Sequence, residues 1–385
     1  MIILRILLRN TLRHPLRSGL TVLAVAVAIL AFGLLRTVID AWYAGVQASS
    51  AARLVTRNSI SLVMPLPLSS APRIRQVEGV SRVSWGNWFG GIYQEEKNFF
   101  PNFAVEPYGY LDLYPEAVLT DEELAAFRRE RTACVVGRKT AERFGWKVGQ
   151  TIVLRGTIYP GEWPMTIRGI FRGRDKTADE SPLMFHWEYL NEGIKRTMPG
   201  AVDTVGWYLV GLKDPDQAAQ VSVAIDGMFK NSLAETLTET EKAFNLGFIS
   251  MTEAIITVIR FVSFAVIAII MVVAANTMAM TARERMPEYA TLKALGFDGF
   301  RIGGLVWGES LALTAAGGAL GMALTYPAAD YFVLKLGHFF PVFNISRTTL
   351  LLDVAAIVVV GVAASVVPTW RAATVNVVEG FRHLG

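Results

Sequence analysis

Four apolar runs along the chain are each long enough, with their flanking residues, to cross a lipid bilayer. A spanning helix needs about 20 mostly apolar residues. The runs are Leu20–Leu35, Ile255–Ala282, Ile302–Ala329 and Val354–Val367. They predict transmembrane helices over residues 18–40, 253–282, 302–329 and 350–370.

Residues 41–252, between the first two runs, have the mixed pattern of a globular domain. Short segments bounded by Gly and Pro predict strands over Ser59–Val63, Val80–Val83, Phe103–Glu106, Ala133–Val136, Thr151–Arg155, Met165–Phe171 and Thr204–Gly211. Polar periodic segments predict helices between them, one with Thr120 as its N-cap. Ala41–Val55 and Ser232–Ser250 are helix-prone and predict a helical stalk. The domain is therefore predicted to be α+β.

Basic residues lie in the short segments next to the apolar runs. Arg5, Arg9 and Arg13 share one stripe of a predicted amphipathic helix over residues 1–17, which suits either an interfacial helix or a plain retention signal. Short loops rich in Lys and Arg stay in the cytoplasm, while large domains translocate regardless of charge. Both termini (1–17 and 371–385) and loop 283–301 are thus predicted to be cytoplasmic, and domain 41–252 and loop 330–349 extracytoplasmic.

The fold class predicted is therefore a membrane protein with four transmembrane α-helices and a large α+β extracytoplasmic domain between the first and second spans. The composition agrees, with 52% hydrophobic and 18% charged residues. A single cysteine, Cys134, excludes an internal disulfide framework. We find no nucleotide-binding GxxxxGK[ST] loop, no HExxH and no GxSxG. No catalytic residue, metal, cofactor or nucleic-acid partner is expected.

Two polar residues lie inside the predicted spans. At 1.5 Å per residue, Asn276 and Glu309 are both roughly 10 Å from the cytoplasmic ends, so a hydrogen bond between neighbouring spans is geometrically feasible. A structural role is favoured over a functional site. Four other charged residues lie near the outer ends of the spans and are expected to reach the interface: Arg36, Arg260, Asp330 and Asp353.

Close helix packing is predicted in the third span. Two Gly-x3-Gly motifs occur there, at Gly304/Gly308 and at Gly317/Gly321. Small residues at this spacing allow two membrane helices to approach closely.

Aromatic residues are concentrated in one part of the inserted domain. They are Trp85, Trp88, Phe89, Tyr93, Phe99, Phe100 and Phe103. The simpler interpretation is strand core. The alternative is an exposed docking surface for a partner or a hydrophobic substrate.

Loop 283–301 is longer than a turn between two spans requires. It has a charged, helical pattern from Arg283 to Leu295, followed by Gly296 as a stop. A soluble partner is therefore expected to dock on this cytoplasmic helix.

Three motifs connect the chain with a known family. Glu284-Arg285, Glu288 and Leu292–Gly296 look like an "ER-x-x-E-I-x-x-L-(R/K)-A-L-G" segment. Pro368, Trp370–Ala373, Val378-Glu379 and Arg382 are similar to a terminal "P-x-x-R-A…P-x-E-A-L-R" pattern, and a looser match covers Val135–Gly137, Val148–Ile152 and Ile167–Ile170. Together with the order of spans, they resemble the FtsX/MacB-type permeases of ABC transporters. Tyr289 and Val377 depart from the pattern, which has Ile and Pro there.

The resemblance implies mechanotransmission, in which the loop helix couples to a separate cytoplasmic ATPase that binds the ATP. The residues implied for ATPase contact are Arg285, Glu288, Leu292, Lys293, Leu295 and Gly296. The alternative for this helix is that it rests on lipid. The resemblance also implies a dimer with itself or a homologous permease, contact with membrane lipid, a periplasmic adaptor as a further partner, and residence in the bacterial inner membrane.

Two functions follow from the resemblance. The first is export or extraction of a hydrophobic substrate, such as a lipid, lipoprotein, peptide or drug. The alternative is an FtsX-like signalling scaffold that relays the state of the ATPase to an extracytoplasmic partner such as a cell-wall hydrolase. The larger external domain favours transport.

Overall fold

The computed structural model describes residues 15–175, 178–250, 252–336 and 342–374. The predicted amphipathic helix over residues 1–17 and the tail 371–385 lie largely outside these ranges. The helices are, in chain order, α1 (Pro15–Trp42), α2 (Ala44–Ala48), α3 (Ala71–Arg75), α4 (Asp121–Arg129), α5 (Arg138–Phe144), α6 (Trp187–Ile194), α7 (Ala218–Phe229), α8 (Glu241–Ser250), α9 (Glu253–Glu284), α10 (Met286–Ala294), α11 (Gly299–Leu336) and α12 (Arg347–Thr374).

Four of these helices, α1, α9, α11 and α12, are long and apolar enough to cross a membrane. The predicted number of spans and the predicted fold class are confirmed. The third spanning helix, α11, is longer than its predicted span, since it continues through Pro327 to Leu336. These helices and α10 make up one compact unit, the span unit.

The span unit is held together by close contacts between helix backbones. A Cβ added to Gly317 would be 2.7 Å from the carbonyl oxygen of Val22, and one added to Gly321 would be 2.6 Å from that of Ala26. Helix α11 therefore packs directly on α1, as that Gly-x3-Gly motif predicts. A Cβ added to Gly304, by contrast, would meet no other described part of the chain within 4 Å, so the other motif has no such close backbone contact at that position.

The charged residues near the outer ends of the spans differ in exposure. Arg260 and Asp330 are exposed, which agrees with side chains that reach the interface. Asp353 is fully buried in the span unit, so the expectation that it reaches the interface is wrong. Packing of α12 against α1 and α11 covers it, which its distance from the span end could not indicate.

The inserted domain (Trp42–Thr252) is a second compact unit, built on a mixed sheet. Its strands are β1 (Arg53–Asn58), β2 (Leu66–Pro67), β3 (Val80–Trp88), β4 (Gly91–Ile92), β5 (Asn102–Val105), β6 (Ala117–Val118), β7 (Ala133–Gly137), β8 (Thr151–Gly156), β9 (Gly161–Gly173), β10 (Leu183–His186), β11 (Thr204–Val205), β12 (Trp207–Leu212) and β13 (Thr236–Thr240). The main sheet has the order β13-β1-β12-β3-β5-β10-β7-β9-β8-β4, with β6 beside β9, and β2 pairs with β11.

Most strand pairs are antiparallel, while β5 with β10 and β7 with β9 are parallel. Alternate side chains of β9 are buried, as a sheet with one covered face requires. Helix α4 begins with the predicted cap, because the Thr120 hydroxyl accepts from the Glu123 backbone and the Glu123 carboxylate accepts from the Thr120 backbone.

Two local predictions in this domain are wrong. Residues 59–63 form bends and turns, with Ile60 and Val63 exposed, and the strand lies earlier, at Arg53–Asn58. The predicted helical stalk at Ser232–Ser250 instead contains β13, which pairs with β1 before α8 begins. Helix propensity is overridden in β13 because pairing with β1 supplies its backbone hydrogen bonds.

Candidate functional site

The loop between the second and third spans forms α10, called the coupling helix below. Pro287 lies in its first turn, where a missing N–H leaves no intrahelical bond unmade. Gly296 has φ = 92°, a left-handed conformation that favours glycine. The N–H of Phe297 donates to the Leu292 carbonyl and that of Gly296 to the Lys293 carbonyl. Gly296 therefore ends the helix as predicted.

One face of the coupling helix is buried in the span unit. Tyr289 is 6% exposed, and burial raises its pKa to about 12, so the phenol is neutral. Met286 and Leu292 pack against the same cluster. Its buried members are Ala282, Tyr289, Ile302, Val306 and Ala372. The helix is thus seated on the N-terminal end of α11 and the C-terminal end of α12.

An ion pair fixes the start of the coupling helix. Arg285 Nη1 is 2.5 Å from Glu309 Oε2 of α11, and its Nε is 3.6 Å from Glu288. The Arg285 side chain is 8% exposed, so it is part of the seat of the helix rather than of its outer surface. Its Nη2 is buried with no hydrogen-bond partner among the described residues, and the residue lines a cavity of ≈ 40 Å³.

The hydrogen bond between Asn276 and Glu309 that their similar depths would allow does not form. Glu309 is paired with Arg285, while Asn276 is exposed on α9. The charged donor is the better partner for a buried carboxylate, since a guanidinium neutralises its charge and an amide does not. Position along the spans predicts a similar depth for both residues. It does not predict the direction in which each side chain points.

Two further contacts tie this region to its neighbours. Lys293 Nζ donates to the Ala373 carbonyl of α12 at 3.3 Å. Arg17 of α1 donates two hydrogen bonds to Glu284, at 2.6 and 2.9 Å, and Glu284 directly precedes Arg285 in the chain. Every span therefore has a side-chain or packing contact with the segment that begins at Glu284.

The opposite face of the coupling helix is exposed. Glu288 and Leu295 lie on it, and the Leu295 side chain is 73% exposed. Phe297 and Phe300 follow, and Phe300 is 90% exposed. Sequence reasoning did not single out these two phenylalanines. The signal was available, because both apolar residues come after the helix stop and before the predicted start of the third span at residue 302. Of the six predicted contact residues, Glu288, Leu295 and Gly296 are exposed, Leu292 and Lys293 are half-buried, and Arg285 is buried.

The root of the inserted domain, Ser49–Arg53 with Glu241–Asn245, is a second polar cluster. Arg53 is 4% exposed and donates to Glu241 at 2.8 Å, to the Leu113 carbonyl at 2.7 Å and to Glu116. Burial lowers the pKa of Arg53, but the hydrogen bond that Arg53 donates to Glu116 and the charge of Glu241 outweigh it and raise the pKa above its ordinary value. Arg53 is therefore charged at every physiological pH.

The two chain segments that enter and leave the domain are joined at this root. The Glu241 carboxylate also accepts from the Ser50 backbone, and Asn245 of α8 donates to the Ser49 hydroxyl at 2.9 Å. These contacts hold α2 beside α8. The predicted stalk is thus a short pair of helices locked at its domain end.

The aromatic residues of the inserted domain divide into two groups. Phe89 and Phe100 are buried in the core beneath β5 and β10. Trp88 and Phe99 are 39% and 46% exposed and stack on each other at a centroid distance of 6.2 Å. Phe103 packs edge-on against Trp88 at 5.1 Å. The core interpretation thus holds for the first group, and the second is a small exposed aromatic surface.

Within the described ranges, no group of three or more His, Cys, Asp or Glu side chains could hold a metal ion. The free Cys134 is buried, and burial raises the pKa of its thiol.

Comparison with known proteins identifies two regions. Residues 18–228 match the MacB-like periplasmic core domain, and residues 260–377 match the FtsX-like permease C-terminal domain. A protein described as an uncharacterized ABC transporter permease from Methanocaldococcus jannaschii is 25% identical over 323 residues, covering 80% of this chain and 77% of that protein.

Solved structures with a similar fold include the periplasmic region of MacB from Actinobacillus actinomycetemcomitans, at 10% identity and a TM-score of 0.38, covering 53% of this chain and 95% of that one. The extracellular domain of the ABC-type transporter YknZ from Gram-positive bacteria matches at 12% identity and a TM-score of 0.36, covering 49% of this chain and 98% of that one. The two family models account for both units, so the inserted domain is extracytoplasmic in type. The chain belongs to the FtsX/MacB-type family of ABC transporter permeases.

Proposed function

We propose that this chain is the membrane subunit of a transporter whose ATPase is a separate cytoplasmic chain. ATP binds and is hydrolysed on that partner, the coupling helix docks on it, and the movement is transmitted to the extracytoplasmic domain. The substrate is hydrophobic: a lipid, lipoprotein, peptide or drug. Permeases of this family are generally non-catalytic, which agrees with the absence of catalytic motifs from the sequence.

The observation that carries this proposal is the two-sided character of the coupling helix. Its inner face is fixed to the spans through Arg285, Tyr289 and Lys293. Its outer face presents a carboxylate, Glu288, and the exposed apolar side chains of Leu295, at the helix end, and Phe300, at the start of α11, follow it. An exposed helix of mixed charge with apolar side chains at its end suits a protein cleft, where a few buried apolar anchors supply most of the binding energy. A force applied there would reach α11 and α12 directly.

The remaining parts of the proposal concern assembly. Both termini and the coupling helix are cytoplasmic, because the basic residues are concentrated there. The permease pairs with a second copy or a homologous permease in the inner membrane, in contact with lipid. The exposed pair Trp88 and Phe99 offers a surface for a periplasmic adaptor. A signalling relay would use the same coupling helix with a different external partner.

Affinity purification of the full chain in detergent tests the coupling. The variant Glu288→Lys with Leu295→Glu should reduce recovery of the ATPase chain at least tenfold, because it reverses the charge and removes the apolar anchor. The matched control is Glu253→Lys, which reverses an exposed charge at the other end of α9. Both variants should elute as monodisperse protein. Equal recovery of the ATPase with both variants would contradict the docking assignment.

The identity of the co-purified external chains separates the two functions. An adaptor or an outer-membrane channel supports transport. A peptidoglycan hydrolase supports the relay and overturns the transport proposal while leaving the coupling helix assignment intact.

A further inference from the structure

Asp353 of α12 is a buried acid without a partner. Its side chain is 0% exposed, and neither carboxyl oxygen has a hydrogen-bond partner among the described residues. The residue lies within a membrane-spanning helix, where surrounding lipid and packed helices exclude water. An ionised carboxylate in that position would lose its hydration and gain no donor in return, which is far more costly than burying a neutral carboxyl.

The neighbouring helices make room for this carboxyl but do not supply it with a hydrogen-bond donor. A Cβ added to Gly33 of α1 would be 3.2 Å from Asp353 Oδ2 and 3.3 Å from the Thr325 hydroxyl of α11. The missing side chain of Gly33 therefore leaves the space that the carboxyl fills. The Thr325 hydroxyl donates to the Gly321 carbonyl at 2.9 Å, and the Thr37 hydroxyl donates to the Gly33 carbonyl at 2.7 Å. Both hydroxyl protons are already used.

Charged groups nearby do not neutralise Asp353 either. On α1, Asp40 accepts hydrogen bonds from Ser346 at 2.6 Å and from Thr349, one turn before Asp353 on α12, at 2.8 Å, so this end of α1 adds a negative charge and no donor. Arg36, also on α1, has a buried Nε with no partner among the described residues, and it makes no ion pair with Asp353. Four other charged residues at this end of α9, α11 and α12 are exposed; they are Glu253, Arg260, Asp330 and Arg347.

We propose that Asp353 is a proton-binding site in the span unit, formed with Gly33 and Thr325, whose carboxyl carries a proton while α1, α11 and α12 are packed as described. Separation of these helices admits water, and the carboxyl then ionises and releases the proton. The packed state is consequently favoured at low pH and weakened as the pH rises. This inference does not depend on the ATPase, since it concerns the packing of the spans alone.

Infrared spectroscopy of the purified full chain in detergent tests the protonation directly. The wild type should show the C=O stretch of a protonated carboxyl at neutral pH, shifted on transfer to D₂O. Asp353→Asn should lose this band. Asp330→Asn, an exposed acid at the same end of the spans, is the matched control and should keep it. Absence of the band from the wild type, or its survival in Asp353→Asn, would overturn the proposal without bearing on the coupling helix.

Thermal unfolding supplies a second measurement. Asp353→Asn should unfold within about 2 °C of the wild type at pH 6, because an amide resembles a protonated carboxyl in shape and charge. The midpoint temperature of unfolding of the wild type should fall as the pH is raised from about 6 to about 9. That of the variant should change by less than half as much over the same pH range. If Asp353→Asn and Arg36→Gln lower the midpoint equally, and the double variant lowers it no further, the two residues form an ion pair and the proton site is excluded.

Discussion

The root of the inserted domain and the coupling helix are each centred on a buried arginine, but the two arginines are held differently. Every guanidinium nitrogen of Arg53 has an acceptor on Glu241, Glu116 or Leu113. Arg285 has one close carboxylate, Glu309, a second at 3.6 Å, and an Nη2 without a partner in the described part of the chain. A fully satisfied buried network is rigid. The root is therefore the more rigidly held of the two regions, while the coupling helix is fixed to the spans by fewer hydrogen bonds.

The largest effect is expected from breaking the root. Arg53→Met removes the charged donor that both Glu241 and Glu116 use. Removing one partner of a buried ion pair costs about 3–5 kcal/mol. Urea denaturation of the full chain in detergent, followed by tryptophan fluorescence, should show this loss in the free energy of unfolding.

The control for the root is Arg57→Met in the same strand. Arg57 pairs with Glu239 at 3.0 Å, but the two side chains are 20% and 23% exposed, so the cost should be about 1 kcal/mol or less. A loss with Arg53→Met that is no larger than with Arg57→Met would remove the contrast between the two regions.

An intermediate effect is expected at the seat of the coupling helix. Arg285→Met alone leaves the Glu309 carboxylate buried and unpaired and should destabilise the chain by about 2–4 kcal/mol, less than at the root because fewer bonds are lost. Adding Glu309→Leu should recover most of the loss. Thermal unfolding of both single variants and the double variant gives the coupling between the two residues.

Arg17 and Glu284 provide the comparison for that cycle. They are 28% and 42% exposed, and the same replacements there should show a coupling below about 1 kcal/mol. Additive effects of Arg285 and Glu309 would mean that their ion pair does not fix the helix.

The smallest effect on stability is expected where apolar groups are exposed in each region. Trp88→Ala with Phe99→Ala should cost about 1 kcal/mol or less, because both side chains are partly exposed already. Phe89→Ala, at a fully buried position next to them, should cost about 3–5 kcal/mol. Loss of transport by the double variant with an intact melting curve would mark Trp88 and Phe99 as a functional surface. A cost for the double variant equal to that of Phe89→Ala would assign them to the core.

Much of the site could be predicted from local pattern. The position of the coupling helix follows from the charged segment between two apolar runs. Its end follows from Gly296 alone, because a left-handed helix end strongly favours glycine. The interior of the site was less predictable. Arg285 is implied by the family resemblance as an ATPase contact, and only its ion pair with Glu309, 24 residues later, shows that it belongs to the seat of the helix.

The sequence by itself determined the four spans, the inserted α+β domain, the Thr120 cap and the position of the coupling helix. Each of these depends on the length of an apolar run or on the chemistry of a few adjacent residues. Only the tertiary structure decided that Glu309 pairs with Arg285, that Asp353 is buried beside Gly33, and that β13 replaces part of the predicted stalk. Those outcomes join residues far apart in the chain, so they depend on which helix faces and strand edges are packed together, and no local pattern records that choice.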